Sequence, residues 1–76
     1  MEIRTQDVPL NPYNVKLLRM ELGLTQREMA RMVPVHAVTW GKWERGLHKP
    51  RGVCDYRIRQ LFKKIGDLTI FQMIDA

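Results

Sequence analysis

Of the eight charged side chains between Arg45 and Lys64, seven are basic: Arg45, Lys49, Arg51, Arg57, Arg59, Lys63 and Lys64, with Asp55 the single carboxylate. A segment this one-sided repels itself unless something anionic lies against it or water solvates it as an open helix face. The whole chain carries 13 Lys and Arg against 8 Asp and Glu, a net charge of +5. That excess favours nucleic acid or a membrane surface as a partner, and charge alone does not choose between these and a solvated face.

Other residues capable of chemistry are few. His36, His48 and Cys54 lack the paired spacing of a zinc site, and no nucleophile, base and orienting group recur at a catalytic spacing. The expectation is no enzyme, no metal and no cofactor. Trp40, Trp43 and the five Met residues read as core filling. A lone cysteine cannot form an internal disulfide, so a core must hold 76 residues together, with dimerisation as the available aid. The 45% hydrophobic content makes that feasible and argues against a disordered chain. No apolar run approaches the roughly 20 residues that span a bilayer, and the N-terminus lacks a basic region followed by an apolar one. The reading is a soluble, intracellular, single-domain protein.

The elements that position these side chains read as helices. Residues 1–10 show no period and form an extended arm without core signal, closed by the Pro9 to Pro12 turn. Asn11 caps a first helix with Pro12 at its opening position; Val15, Leu18 and Leu22 share its apolar face beside Leu17, and Gly23 ends it. Thr25 to Glu28 is a capping box opening a second helix to about Val33, with Met29, Met32 and Val33 apolar, Ala30 small, and Pro34 barring continuation. A third helix over about 36–44 follows at once, its apolar positions Ala37, Trp40 and Trp43 recurring every three residues before Gly46. Val53, Tyr56, Ile58, Leu61, Phe62 and Ile65 give a fourth helix that carries much of the basic block. In the tail, Asp67 caps a short fifth helix, with a strand over Thr69 to Phe71 as the competing assignment. The fold class is therefore all-α, with four to five helices. Its segments are an arm over 1–10, a domain over 11–66 and an apolar segment over 67–76.

A capped helix, a tight turn and a second short helix have the layout of a DNA-binding helix-turn-helix. The wording of the segment goes further. Gly23-Leu24-Thr25-Gln26-Arg27-Glu28-Met29-Ala30 and Thr39-Trp40-Gly41-Lys42-Trp43-Glu44-Arg45-Gly46, followed by Pro50, resemble the lambda-repressor-like helix-turn-helix family, also called XRE or Cro type. The resemblance spans roughly Asn11 to Ile65. Departures from the family pattern are Pro34 for a turn glycine, His36 for a Ser or Thr cap, Trp40 for Ile or Val, and Ala37 and Val38 for polar base readers.

The resemblance implies a compact lambda-repressor-like domain whose second helix crosses the DNA backbone while its third enters the major groove. It places Gln26, Arg27 and Thr39 on phosphates, with Gln26 touching the backbone or the base beside it, and Arg45, Lys49 and Arg51 on the flanking backbone. Thr39 has back-bonding to its own helix as an alternative, and Arg27 simple exposure. His36, Ala37, Val38 and Lys42 face the bases: Lys42 donates to guanine O6 or N7, and Ala37 and Val38 touch thymine methyls, with a phosphate as the alternative for His36 and Lys42 and core packing as the alternative for Ala37. Arg57, Arg59, Lys63 and Lys64 remain a solvated face.

The expected function is a sequence-specific regulator of transcription, a repressor binding a palindromic operator on double-stranded DNA as a homodimer. Such a protein is bacterial or phage-encoded and acts in the cytoplasm at the nucleoid. Leu68, Ile70, Phe71, Met73 and Ile74 are the candidate dimer contact, with closure of the monomer core as the alternative. A rival from another class is a protein-interaction module, or an antitoxin and operon autoregulator that also binds a toxin. The missing polar base readers at Ala37 and Val38 favour it. Membrane binding is the weakest reading, because the basic helix is expected to lack an exposed apolar face to insert.

Overall fold

Asn11 opens the first helix through its side chain: Oδ1 accepts from the Asn14 amide at 2.8 Å, and Pro12 holds the first helical position, where no N–H is required. The computed structural model describes residues 2–74; Met1, Asp75 and Ala76, the ends of the expected arm and tail, lie outside them. Helix α1 spans Pro12–Glu21 and is followed by Gly23 at φ +71°, a left-handed conformation that glycine adopts without steric cost. Helix α2 spans Gln26–Met32 behind a complete capping box. Thr25 Oγ1 accepts from the Glu28 amide at 3.1 Å, and Glu28 Oε1 accepts from the Thr25 amide at 2.9 Å.

Residues Val33 to His36 connect α2 to α3, Ala37–Glu44, through a cis Val33–Pro34 peptide. His36 stands at the N-cap without a side-chain bond to the helix, as its lack of a short hydroxyl leads one to expect. Helix α4 spans Val53–Phe62, and 3-10 turns occupy Thr5–Asp7 and Leu68–Ile70. Among the described residues there are four α-helices and no strand, so the competing strand in the tail gives way to a turn. Asp67 caps that turn, accepting from the Thr69 amide at 2.9 Å and its hydroxyl at 2.6 Å.

Helix α3 packs against both α1 and α2 and forms the centre of the molecule. Its Trp40 and Trp43 meet edge to face with ring centroids 5.5 Å apart, among Val15, Leu18, Met29, Ala30, Val33, Ile58, Leu61 and Phe62. Two apolar faces are narrower than expected. Met32 lies about a quarter turn away from Met29, Ala30 and Val33, and it is exposed. On α4 the inward set is Cys54, Ile58, Leu61, Phe62 and Ile65; Val53 and Tyr56 lie together on the far side of the helix and are exposed.

Segments near both ends, at Val8 and Phe71, join the core, which corrects the reading of residues 1–10 as an extended arm without core signal. Val8 is fully buried, and Arg59 ties its segment down by donating from a terminal nitrogen to the Thr5 and Val8 carbonyls at 2.9 and 2.8 Å. Arg59 also pairs with Asp55 at 2.8 Å, so it is a structural clasp and not part of a solvated basic face. The fully buried Asn14 joins the two ends. Its Nδ2 donates to the Pro9 and Gln72 carbonyls, and its Oδ1 accepts from the Gln72 amide, all between 2.7 and 2.8 Å. Phe71 is buried edge-on against Phe62, with centroids 4.8 Å apart. The periodicity of residues 1–10 is too short to reveal one buried valine, and no local pattern announces a carboxamide that bridges to residue 72.

Candidate nucleic-acid interface

With Trp40, Gly41 and Trp43 buried on α3, the helical period turns Val38, Lys42 and Arg45 outward at i, i+4 and i+7. Val38 is 68% exposed, Arg45 is exposed and Lys42 is half-buried. Arg45 is partly steadied by its own helix, its Nε donating to the Gly41 carbonyl at 3.3 Å. An open recess between α2 and α3 is lined by Gln26, Ala37, Val38, Gly41 and Arg45. Val38 forms the ridge to a second recess, where Arg27 and Arg31 from α2 meet His36 and Ala37.

The structure thus brings Gln26, Arg27, His36, Ala37, Val38 and Arg45 onto one surface formed by two helices, with Lys42 beside them on the outward face of α3. Thr39 is half-buried and lies off this stripe, about a quarter turn from Val38. Lys49 and Arg51 lie in the α3–α4 loop, where they line a separate recess with Leu47 and His48. Of the candidate dimer residues, Ile70, Met73 and Ile74 are exposed and Leu68 is half-buried against the core. Phe71 faces inward, which removes it from any contact between copies.

The carboxylate of Glu44 organises this surface from behind. Arg19 of α1 donates through Nε to Oε2 at 2.6 Å and through a terminal nitrogen to Oε1 at 3.2 Å, a fork-on-fork pair. Gln26 Nε2 donates to Oε1 at 3.1 Å, and Trp40 Nε1 donates to Oε2. The remaining terminal nitrogen of Arg19 reaches the Leu24 carbonyl at 3.0 Å. Burial of Glu44 alone would raise its pKa, but the hydrogen bonds from Arg19, Gln26 and Trp40 outweigh it and hold the carboxyl below its ordinary value. One ionised side chain therefore links α1, α2 and α3.

Glu44 and Arg19 are absent from the residues that sequence reasoning assigns to the site, because their link crosses 25 positions. The available signal is an acid four residues after Trp40 on the same helix side, in a position where an apolar residue would continue the buried face.

Comparison of the chain with protein-family models, with curated proteins and with solved structures finds no match. Among the described residues no group of His, Cys, Asp and Glu converges as a metal site, and no helix is long and apolar enough to cross a membrane.

Proposed function

We propose that the protein binds double-stranded DNA sequence-selectively as a homodimer and acts as a transcriptional repressor by occupying promoter DNA. In this reading α2 and α3 are a lambda-repressor-like helix-turn-helix. Ala30, buried between them, permits the close crossing that leaves the outer face of α3 free to enter the major groove. The observation that carries the proposal is that face: Val38, Lys42 and Arg45 point away from the core and are followed directly by the basic loop.

Within this reading Lys42 donates to a guanine edge, Ala37 and Val38 contact thymine methyls, and His36 donates to a base or phosphate. Arg27, Arg45, Lys49 and Arg51 meet the backbone on either side. A second copy joins through Ile70, Met73 and Ile74, setting half-sites about 34 Å apart, one turn of DNA.

The test is selection from a random duplex pool, then anisotropy at two salt concentrations for wild type and Lys42→Ala. Enrichment of a palindrome, with specificity relaxed in the variant, supports the repressor reading. Binding that depends on salt and ignores sequence refutes it. In that case the exposed Val38 favours a protein-interaction face, such as that of an antitoxin, as the second reading.

A further inference from the structure

Gly41 lies in the middle of α3, where glycine is less favourable than alanine because it loses more backbone freedom on folding. Its φ is not positive, so the backbone there does not require glycine. A Cβ added at Gly41 would meet only Gln26 Oε1, at 3.5 Å, which is ordinary van der Waals contact. Nothing inside the molecule uses the missing side chain. The space it leaves is the floor of the open recess between α2 and α3.

The group above that floor has a defined direction. Glu44, held by the Arg19 fork, is ionised and can only accept, so Gln26 must turn its nitrogen toward it. That bond directs the carboxamide oxygen over Gly41. A phosphate, also an acceptor, cannot bond to this oxygen, whereas an exocyclic amino group can. In the major groove only adenine N6 and cytosine N4 present one.

Resting on the DNA-binding reading, we infer that Gln26, oriented by Glu44 across the Gly41 floor, is a specificity-determining residue that accepts from the amino group of an adenine or cytosine. Guanine O6 and thymine O4 at that position would face Gln26 Oε1 acceptor to acceptor. The resemblance leaves Gln26 on the backbone or on the neighbouring base; its bond to Glu44 adds a polarity, and with it the kind of base it accepts from.

The experiment takes the duplex selected by the wild-type protein and removes single amino groups, replacing one adenine by purine or one cytosine by 2-pyrimidinone. Anisotropy is read for wild type, Gln26→Ala and Gly41→Ala. At one position per half-site the deletion should weaken wild type roughly fivefold, as loss of one neutral hydrogen bond does, and leave Gln26→Ala unaffected. The base that responds identifies the amino group. Gly41→Ala should melt at or above the wild-type temperature yet bind the selected duplex less tightly. Equal sensitivity of wild type and Gln26→Ala at every position overturns the inference while leaving DNA recognition intact. Failure to select any duplex overturns both.

Discussion

Glu44→Ala tests how far the fold depends on one carboxylate. The substitution leaves Arg19, whose side chain is only 16% exposed, with a single carbonyl partner, and deprives the buried Trp40 of its acceptor. Removing one partner of a buried ion pair costs about 3–5 kcal/mol, and the partial exposure of Arg19 points to the lower end, about 3 kcal/mol. A domain of this length has roughly 4–11 kcal/mol of stability in all. The variant should therefore melt about 12–24 °C lower. Urea unfolding followed by tryptophan fluorescence suits the measurement, because both tryptophans lie on α3 within this contact region. Glu44→Gln keeps the shape and one acceptor, and should lose about half as much. A loss below about 1 kcal/mol in Glu44→Ala would refute the reasoning, since that is what an exposed pair contributes.

The same carboxylate gives a pH signature. Its folded pKa is depressed below the ordinary glutamate value of about 4.3, so between those two values the unfolded chain binds more protons and stability rises with pH. The contribution is complete above about pH 5, allowing one unit above the unfolded value, and is lost as pH falls through the folded pKa. Glu28 and Asp67 have depressed values from their Thr25 and Thr69 bonds and act in the same direction. The difference between wild type and Glu44→Gln cancels them, and it should shrink as pH falls from 5 toward 3. A difference that stays constant across that range would mean that ionisation of Glu44 does not stabilise the fold.

Asn14→Ala removes three hydrogen bonds that tie both chain ends to α1 and should cost about 2–4 kcal/mol by urea unfolding. Amide exchange in the Thr5–Asp7 and Leu68–Ile70 turns should accelerate with it. Phe71→Ala should cost about 3–5 kcal/mol as a core truncation. If the proposed homodimer forms through the tail, Ile74→Asp, at a side chain 79% exposed, should leave the melting temperature within a few degrees and shift sedimentation toward the monomer. Arg51→Ala should lower the slope of log affinity against log salt by about one without changing the preferred sequence.

The elements bounded by local chemistry are legible in the sequence. The Asn11 cap, the Thr25–Glu28 box, the Pro34 break and the glycines after α1 and α3 act within four residues, and each terminates or opens a helix where the structure has one. What is illegible is set by contacts across the chain. Val8 joins the core because Arg59 captures two carbonyls more than 50 residues away, and Phe71 does so because Asn14 fixes Gln72. The candidate surface divides in the same way. Helical period alone turns Val38, Lys42 and Arg45 outward, whereas the orientation of Gln26 depends on a carboxylate 18 positions away.

That division bears on how stability and recognition are connected. Glu44 is bonded by Arg19 and Trp40 within the fold, and the same carboxylate directs Gln26, which reaches the open surface. A substitution at Glu44 therefore acts on both properties, but through different bonds. The Arg19 and Trp40 bonds are shielded from water and dominate the folding cost, while the exposed Gln26 bond contributes little to stability and sets the direction of an acceptor. Gln26→Ala should thus change unfolding by less than about 1 kcal/mol. Glu44→Gln should retain folding at neutral pH yet leave Gln26 able to pair with its new carboxamide through either end. Loss of base discrimination in a folded Glu44→Gln protein, matching that of Gln26→Ala, would show that the buried charge contributes orientation as well as stability. If Glu44→Gln keeps full discrimination, packing around Gly41 directs Gln26 and the charge is purely structural.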